Sequence, residues 1–270
     1  MSRANWYKCR RKRQSEEVDG KLICQLVRDE RKLQPRLGAR KVRSILRHEF
    51  SKAGISIGRD RFFDVMRRND MLVPPLPKRF VYTTDSKHNL PYYGNLVSKL
   101  SPTRPNEVWV SDITYIRLID DFLYLSLIMD LGTRKIVGHH CSRGLAAEET
   151  TTEALRSAVR GLPAEHELIH HSDRGAQYCC HDYVNLLDDY GIRPSMTEVN
   201  HCAENSHAER LNGILKQEYM LGATFRNFAQ AQQAVRQAVS LYNHRRPHNS
   251  LNGKTPAEAY AADHRVIYGC

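Results

Sequence analysis

The chain has little cysteine, and what it has is not arranged to bond. The seven residues (Cys9, Cys24, Cys141, Cys179, Cys180, Cys202, Cys270) are odd in number and scattered, with no C-x-x-C unit. That excludes a disulfide framework and a zinc ribbon and fits a reducing cytoplasm. Long apolar runs are missing too: none approaches the roughly 18 residues that cross a bilayer. The opening MSRANWYKCRRKRQ carries basic residues with no apolar stretch after them, so neither a secretory leader nor a membrane anchor is expected. Glycine and proline number only 15 and 11 in 270 residues, and 41% of the residues are apolar. Collagen-like and wholly disordered classes are excluded, and one large domain or two smaller ones is expected. Histidines are plentiful, with pairs at His139/His140 and His170/His171. No second pair stands at ligand spacing, so surface or core placement is favoured over a histidine metal site.

Acid is lacking from the front of the chain. Residues 1 to 100 hold 24 Lys and Arg against 10 Asp and Glu, whereas the remainder is slightly acidic, 17 against 20. A concentrated positive field attracts phosphate backbones and releases their counterions, so the front reads as a nucleic-acid surface, against the alternative of a solvated, solubilising charge run. Within it, helical spacing covers 18–33 (Val18, Leu22, Leu26), 41–52 (Val42, Ile45, Leu46, Phe50) and 59–69 (Phe62, Val65, Met66). The AGIS turn between the last two predicts a helix-turn-helix with Arg59, Arg61, Arg67 and Arg68 on the exposed side of its second helix. A basic helical packing unit shares the same pattern. Six of the eleven prolines then crowd into residues 74–105, where each fixes φ and withholds a backbone donor, predicting an extended linker.

After the linker the period changes. EVWVSDITYI and FLYLSLIM are rich in β-branched and aromatic residues, and LGTR before KIVGHH suggests a turn into a third strand. A helix at 146–162, a short strand at 168–171, a helix at 182–190, a strand at 192–196 and a helix at 206–221 follow. Antiparallel strands succeeded by alternating helices and strands indicate an α/β fold, a mixed sheet covered by helices. The expected organisation is a helical domain over 1–72, a linker over 73–104, an α/β core with C-terminal helices over 105–262, and a tail over 263–270.

Three carboxylates stand out by placement. Asp112 lies inside an apolar strand, where an uncompensated carboxylate costs on the order of several kcal/mol. Asp173 follows the strand ending LIHHS, at a strand terminus where ligands collect. Glu209 shares one helical face with Asn212, Gly213 and Lys216, while Leu211 and Leu215 line another. Each has a plain alternative: Asp112 at a solvated edge, Asp173 capping a turn, Glu209 in a capping box with Ser206. Sixty residues lie between the first two and 35 between the last two.

VWVSDITYI, LIHHSDRGAQY and AENSHAERLNGILKQEY at this spacing, with TTDSKHNLP at 83–91 and YNHRRPHNSLNGKTPAEAY at 242–260, resemble the second-frame transposases of bacterial insertion-sequence family three. These belong with retroviral integrases among the DDE recombinases. The resemblance implies an RNase H-like core with a mixed five-stranded sheet. It further implies that Asp112, Asp173 and Glu209 bind two Mg²⁺ ions, with Mn²⁺ able to substitute, and catalyse DNA cleavage and strand transfer. Lys216 matches the family's basic residue near the site. Transposon ends and target DNA, a homo-oligomer on that DNA, an upstream-frame partner or fusion, and a cytoplasmic, nucleoid-associated location are implied as well. A structure-selective nuclease and a non-enzymatic regulator of a longer transposase are the alternatives. Asn200 stands where relatives carry Gly, and LGT at 131–133 replaces an aromatic-serine pair, a change expected to affect packing only. Tyr242, Pro247 and Leu251 suggest that YNHRRPHNSL packs on the core, against the alternative that Arg245, Arg246 and His248 contact DNA.

Overall fold

The structure, a computed structural model, describes residues 3–74, 90–198 and 205–268. Most of the proline linker, the TTDSKHNLP motif up to residue 89 and the Asn200 loop lie outside the described residues. The chain divides into two compact units, Met1–Pro77 and Lys78–Cys270.

The first unit is helical: α1 (Arg3–Leu33), α2 (Ala39–Ile45), α3 (Arg47–Lys52) and α4 (Arg59–Arg68). Ile23 and Val27 of α1, Val42 and Leu46, Phe50, and Phe62 and Met66 of α4 form its core. The Phe50 and Phe62 rings meet at 5.9 Å. Two boundaries differ from the sequence pattern. The single helix expected over 41–52 breaks at Leu46, and α1 begins at Arg3, far ahead of its first apolar repeat. Gly54, at φ 70°, supplies the left-handed turn that ends α3, with the Ile55 amide donating to the Phe50 carbonyl at 2.8 Å.

The second unit is built on a five-stranded sheet in the order β3-β2-β1-β4-β5. Its strands are β1 (Val108–Arg117), β2 (Phe122–Asp130), β3 (Ile136–Ser142), β4 (Ile169–Ser172) and β5 (Arg193–Met196). The first three form an antiparallel meander, and β4 and β5 add in parallel beside β1. Helices cover both faces, because the period-two alternation of β1 and β2 is apolar on each side. α5 (Thr151–Val159), α6 (Ala176–Cys179) and α7 (His181–Asp189) pack on the face of Trp109 and Ile128. α8 (Ser206–Glu218) and α9 (Phe228–His244) pack on the face of Val108, Val110, Leu125 and Leu127. α10 (Pro256–Tyr268) closes the described chain and continues through position 263.

At Gly138 α5 lies close on the sheet: a Cβ there would lie 2.7 Å from the Ala158 Cβ and against the Ala154 carbonyl. Asp130 ends β2 fully buried, and the Asn106 amide, the Thr133 amide and the Thr133 hydroxyl satisfy its carboxylate at 2.6–2.7 Å. The LGT departure thus has a local logic. Thr133 keeps a hydroxyl donor, and Gly132 lies so near the Arg104 carbonyl, 2.6 Å from a would-be Cβ, that no larger side chain fits there without rearrangement.

The C-terminal motif is structural at its centre. Asn243 exchanges two hydrogen bonds with the Ile136 backbone, both 2.9 Å, and so continues the edge of β3 with a side chain. Arg246, 4% exposed, forms a bidentate pair with Glu218 at 2.7 and 3.0 Å, donates to His248 at 2.7 Å and lies against the Tyr242 ring. Burial alone would lower its basicity; the hydrogen bonds and charge of Glu218 more than offset that and raise it. Arg246 is therefore a packing residue that fixes the end of α8.

Candidate active site

Parallel pairing of β1 with β4 sets Val108 beside Ile169 and Val110 beside His171. The same register continued two residues carries Asp173 to the level of Asp112. β4 stops at Ser172, so from there on the outer edge of β1 has no neighbour, and a crevice opens between the two strands at the point where the sheet order reverses. Asp112 and Asp173 both line it.

The third carboxylate arrives on α8, and two amides register that helix on β1. Asn205, the residue before its first turn, donates from Nδ2 to the Ser111 carbonyl at 3.0 Å. Asn212 donates from Nδ2 to Asp112 Oδ2 at 2.7 Å. Residues 205, 209, 212 and 216 form one stripe on a helix of 3.6 residues per turn, so Glu209 sits between the two anchors. The capping box with Ser206 does not form: Ser206 is inside the helix, Asn205 precedes it, and no side chain caps the turn.

Electrostatics agree with this proximity. Burial first, then Asp173, then Glu209 push the Asp112 carboxyl up to about 8, against hydrogen bonds from the Ile113 amide and Asn212. Among the described residues no group of three or more His, Cys, Asp or Glu side chains is gathered tightly enough to hold a metal ion. The carboxylates are electrostatic neighbours rather than a closed cage. Asn205 Oδ1 and Asn212 Oδ1 are buried without a hydrogen-bond partner, two hard oxygens that flank Glu209. This donor set, short of positive charge and rich in oxygen, fits a hard divalent cation.

Lys216 lies farther along the same stripe, its ammonium 4.4 Å from the centre of the Tyr115 ring. Burial lowers its basicity and Asp112 pulls it back up. In the first unit, Arg59, Arg61, Arg67 and Arg68 are all exposed on α4, but Arg59 pairs with Asp60 at 2.8 Å and Arg67 with Asp64 at 2.6 Å. The sequence placed Asn212 on the polar face of its helix without a task; the signal was its position one turn from Glu209. Asn205 carried no local signal, since its partner is far away in the chain.

A mixed five-stranded sheet of this order, with helices on both faces, defines the RNase H-like integrase core. Residues 102–202 and residues 190–256 each match a family described as integrase core domain. A 31 kDa protein of insertion element IS600 from Shigella sonnei is 36% identical over 214 residues, which span 78% of each chain. The transposase InsF of insertion sequence IS3A from Escherichia coli is 30% identical over 67% of this chain and 63% of its own. In the solved intasome of simian T-cell lymphotropic virus with PP2A regulatory subunit B56 gamma, one chain shares the fold at a TM-score of 0.51. That match has 17% identity and covers 80% of this chain and 74% of that one. The chain belongs to the DDE transposases of bacterial insertion sequences. Among the described residues no helix is long and apolar enough to cross a membrane.

Proposed function

We propose that this transposase cuts and joins DNA at Asp112, Asp173 and Glu209, the cut being at the ends of its own insertion sequence and the joining to target DNA. The observation that carries the assignment is the anchoring of α8 to Ser111 and Asp112 through Asn205 and Asn212, with Glu209 between them. The three carboxylates would hold two Mg²⁺ ions, or Mn²⁺ in their place, and these supply neutralising charge to the attacking and leaving oxygens of an in-line displacement.

The chain's own residues do the holding and positioning. The Ile113 amide, at 2.9 Å, and Asn212 fix the two oxygens of Asp112, and the Gly175 amide fixes one oxygen of Asp173 at 3.0 Å. Lys216 offers an ammonium to a DNA phosphate beside the carboxylates. No side chain bonds to the DNA. In cleavage the oxygen of water attacks phosphorus and the 3′ oxygen leaves, taking a proton to become a hydroxyl. In joining, that hydroxyl attacks a target phosphorus and the target's own 3′ oxygen leaves.

Arg59, Arg61, Arg67 and Arg68 bind DNA through phosphates in this reading; the two exposed ion pairs on α4 are too weak to withhold them. The domains act as a helical DNA-binding front over 1–72 and a catalytic core over 105–262. The protein works in the bacterial cytoplasm on nucleoid DNA, as a homo-oligomer on that DNA and with an upstream-frame partner or fusion.

Glu209→Gln tests the assignment. The Glu209 side chain is exposed and takes no part in the helix anchors, so the fold and its melting temperature should be unchanged, while the neutral amide is a poor ligand for a hard cation. Strand transfer of an end-bearing oligonucleotide should fall to background. Full activity at ordinary Mg²⁺ refutes the role of Glu209.

A further inference from the structure

The crevice that holds Asp112 and Asp173 continues into a cavity of about 370 Å³ walled by rings. Tyr115 faces Tyr124 across the β1–β2 pairing, and Phe122 meets the Tyr115 ring edge-on at 5.4 Å. All three rings are half-buried. Tyr115 lies on β1 beyond the end of β4, where that strand has lost its outer neighbour, and Phe122 and Tyr124 stand beside it on β2. Cations flank the group: the Arg117 guanidinium lies 5.9 Å from the Phe122 ring and the Lys216 ammonium 4.4 Å from that of Tyr115. Ile113 and Leu145 also line the cavity, but Asp112, Asp173 and Arg117 stand among them, which a closed core cluster would not have. A pocket for a small apolar ligand would not need paired cations at its rim.

We propose that this cavity receives one unpaired nucleobase of the DNA strand being cut or joined, stacked against Tyr115, Phe122 and Tyr124, with Arg117 on the phosphate beside it. Stacking requires a flat partner with an accessible π-face, and every base offers one, so the pocket is indifferent to sequence. It lies beside the carboxylates, hence within a nucleotide or so of the reacting phosphorus. Taking a base out of the duplex there admits the phosphate to a crevice that a stacked, paired strand cannot enter. The sequence shows these aromatics only as good strand formers. The proposal rests on the reading of Asp112 and Asp173 as catalytic carboxylates, and it names what accompanies the phosphate into their site.

The test uses the full chain, with Ca²⁺ replacing Mg²⁺ to neutralise the carboxylates, and two 30-base-pair probes of arbitrary sequence. One is fully paired, and the other carries three unpaired thymidines at a 3′ end. Fluorescence anisotropy should show the forked probe binding more tightly. Phe122→Leu and Tyr124→Leu should each weaken the forked probe by about fivefold or more and leave the paired probe and the salt dependence unchanged; Tyr124→Phe, which keeps the ring, should bind as the parent does. With 5-iodouracil in the overhang, near-ultraviolet irradiation of the unmodified chain should attach the base to Tyr115, Phe122 or Tyr124, and this arm needs no variant to fold. Equal affinity for the two probes, equal loss on both, or crosslinks confined to other residues overturns the proposal. Asp112→Asn separates the two readings: a variant that still cuts DNA defeats the catalytic assignment, whereas an inactive variant with no fork preference in the parent defeats only the base pocket.

Discussion

Arg246→Met should unfold the core at markedly lower denaturant, and the structure sets the size of the loss. The guanidinium side chain is 5% exposed and its partner Glu218 18%, at 2.7 Å. Removing the cation leaves a carboxylate that is largely desolvated and held in place by the end of α8. Breaking a buried pair in this way costs about 3–5 kcal/mol, and the residual exposure of Glu218 puts this case near the lower end, about 3 kcal/mol. The double variant Glu218→Met with Arg246→Met removes both charges and should come within about 1 kcal/mol of the parent, because a well-packed apolar pair is often as good as a buried ion pair. Urea unfolding measures this cleanly, since the chain has two tryptophans, Trp6 in the first unit and buried Trp109 in the second. In a Trp6→Phe background the fluorescence reports the core alone. A loss below about 1 kcal/mol for the single variant, or a double variant no better than the single, refutes the argument. DNA affinity and its salt slope should be unaffected while the protein remains folded, since Arg246 is not at the surface.

Burial and the neighbouring carboxylates raise Asp112 to about 8, so the folded metal-free protein keeps a proton that the unfolded chain releases near pH 4. Its stability should decline as pH rises from about 4 to about 8 and then level off. Asp112→Asn should flatten that decline in thermal melts with a chelator present, and parallel curves for parent and variant speak against it. Gly138→Val should cost about 1–3 kcal/mol by overpacking against α5. Gly20→Ala, where nothing lies within 4 Å, should instead stabilise α1 by up to about 1 kcal/mol; the urea midpoints decide both. Replacing Arg59, Arg61, Arg67 and Arg68 by Ala should weaken duplex binding and flatten its salt slope by about one for each phosphate no longer neutralised. An unchanged slope removes α4 from the DNA interface.

How much was legible depends on how local the cause is. β1 and β2 could be read from β-branched and aromatic runs, because those side chains fill the two faces of the sheet, and β3 from the turn before KIVGHH, whereas β4 (IHHS) and β5 (RPSM) were legible only as short segments between helices. The three carboxylates of the proposed site were legible as placement: Asp112 in a strand, Asp173 after one, Glu209 on a polar helix face. The break at Leu46 was not, since Val42, Leu46 and Phe50 keep a helical period through it and all three still reach the core. The start of α1 was missed because its basic first turns have no apolar stripe to display. The capping box was a sound local inference that tertiary structure overrode. Asn205 spends its amide on Ser111, 94 residues away, and no pattern within a window of ten residues encodes such a bond. The aromatic cavity needed the register of β1 on β2, which sets Tyr115 against Tyr124 and near Phe122.

The way the carboxylates are held explains why they remain available to cations. Asp112 takes its hydrogen bonds from two neutral donors, the Ile113 amide and Asn212, and the Gly175 amide donates to Asp173. The cations nearest in sequence or on the same helix face have other seats: Lys216 lies over Tyr115, and Arg174 donates to the Thr197 carbonyl at 2.6 Å and lies on the Tyr92 ring. A guanidinium bonded to Asp112 would have stabilised the metal-free fold by lowering its carboxyl, but it would also have neutralised the charge that a divalent ion is bound by. Neutral anchors fix direction without cancelling charge. They leave Asp112 raised, so that the metal-free site holds a proton where the proposed divalent ions would place their charge. The cost in stability of the empty site and the affinity of the loaded one therefore have a common origin in the same few residues of β1 and α8.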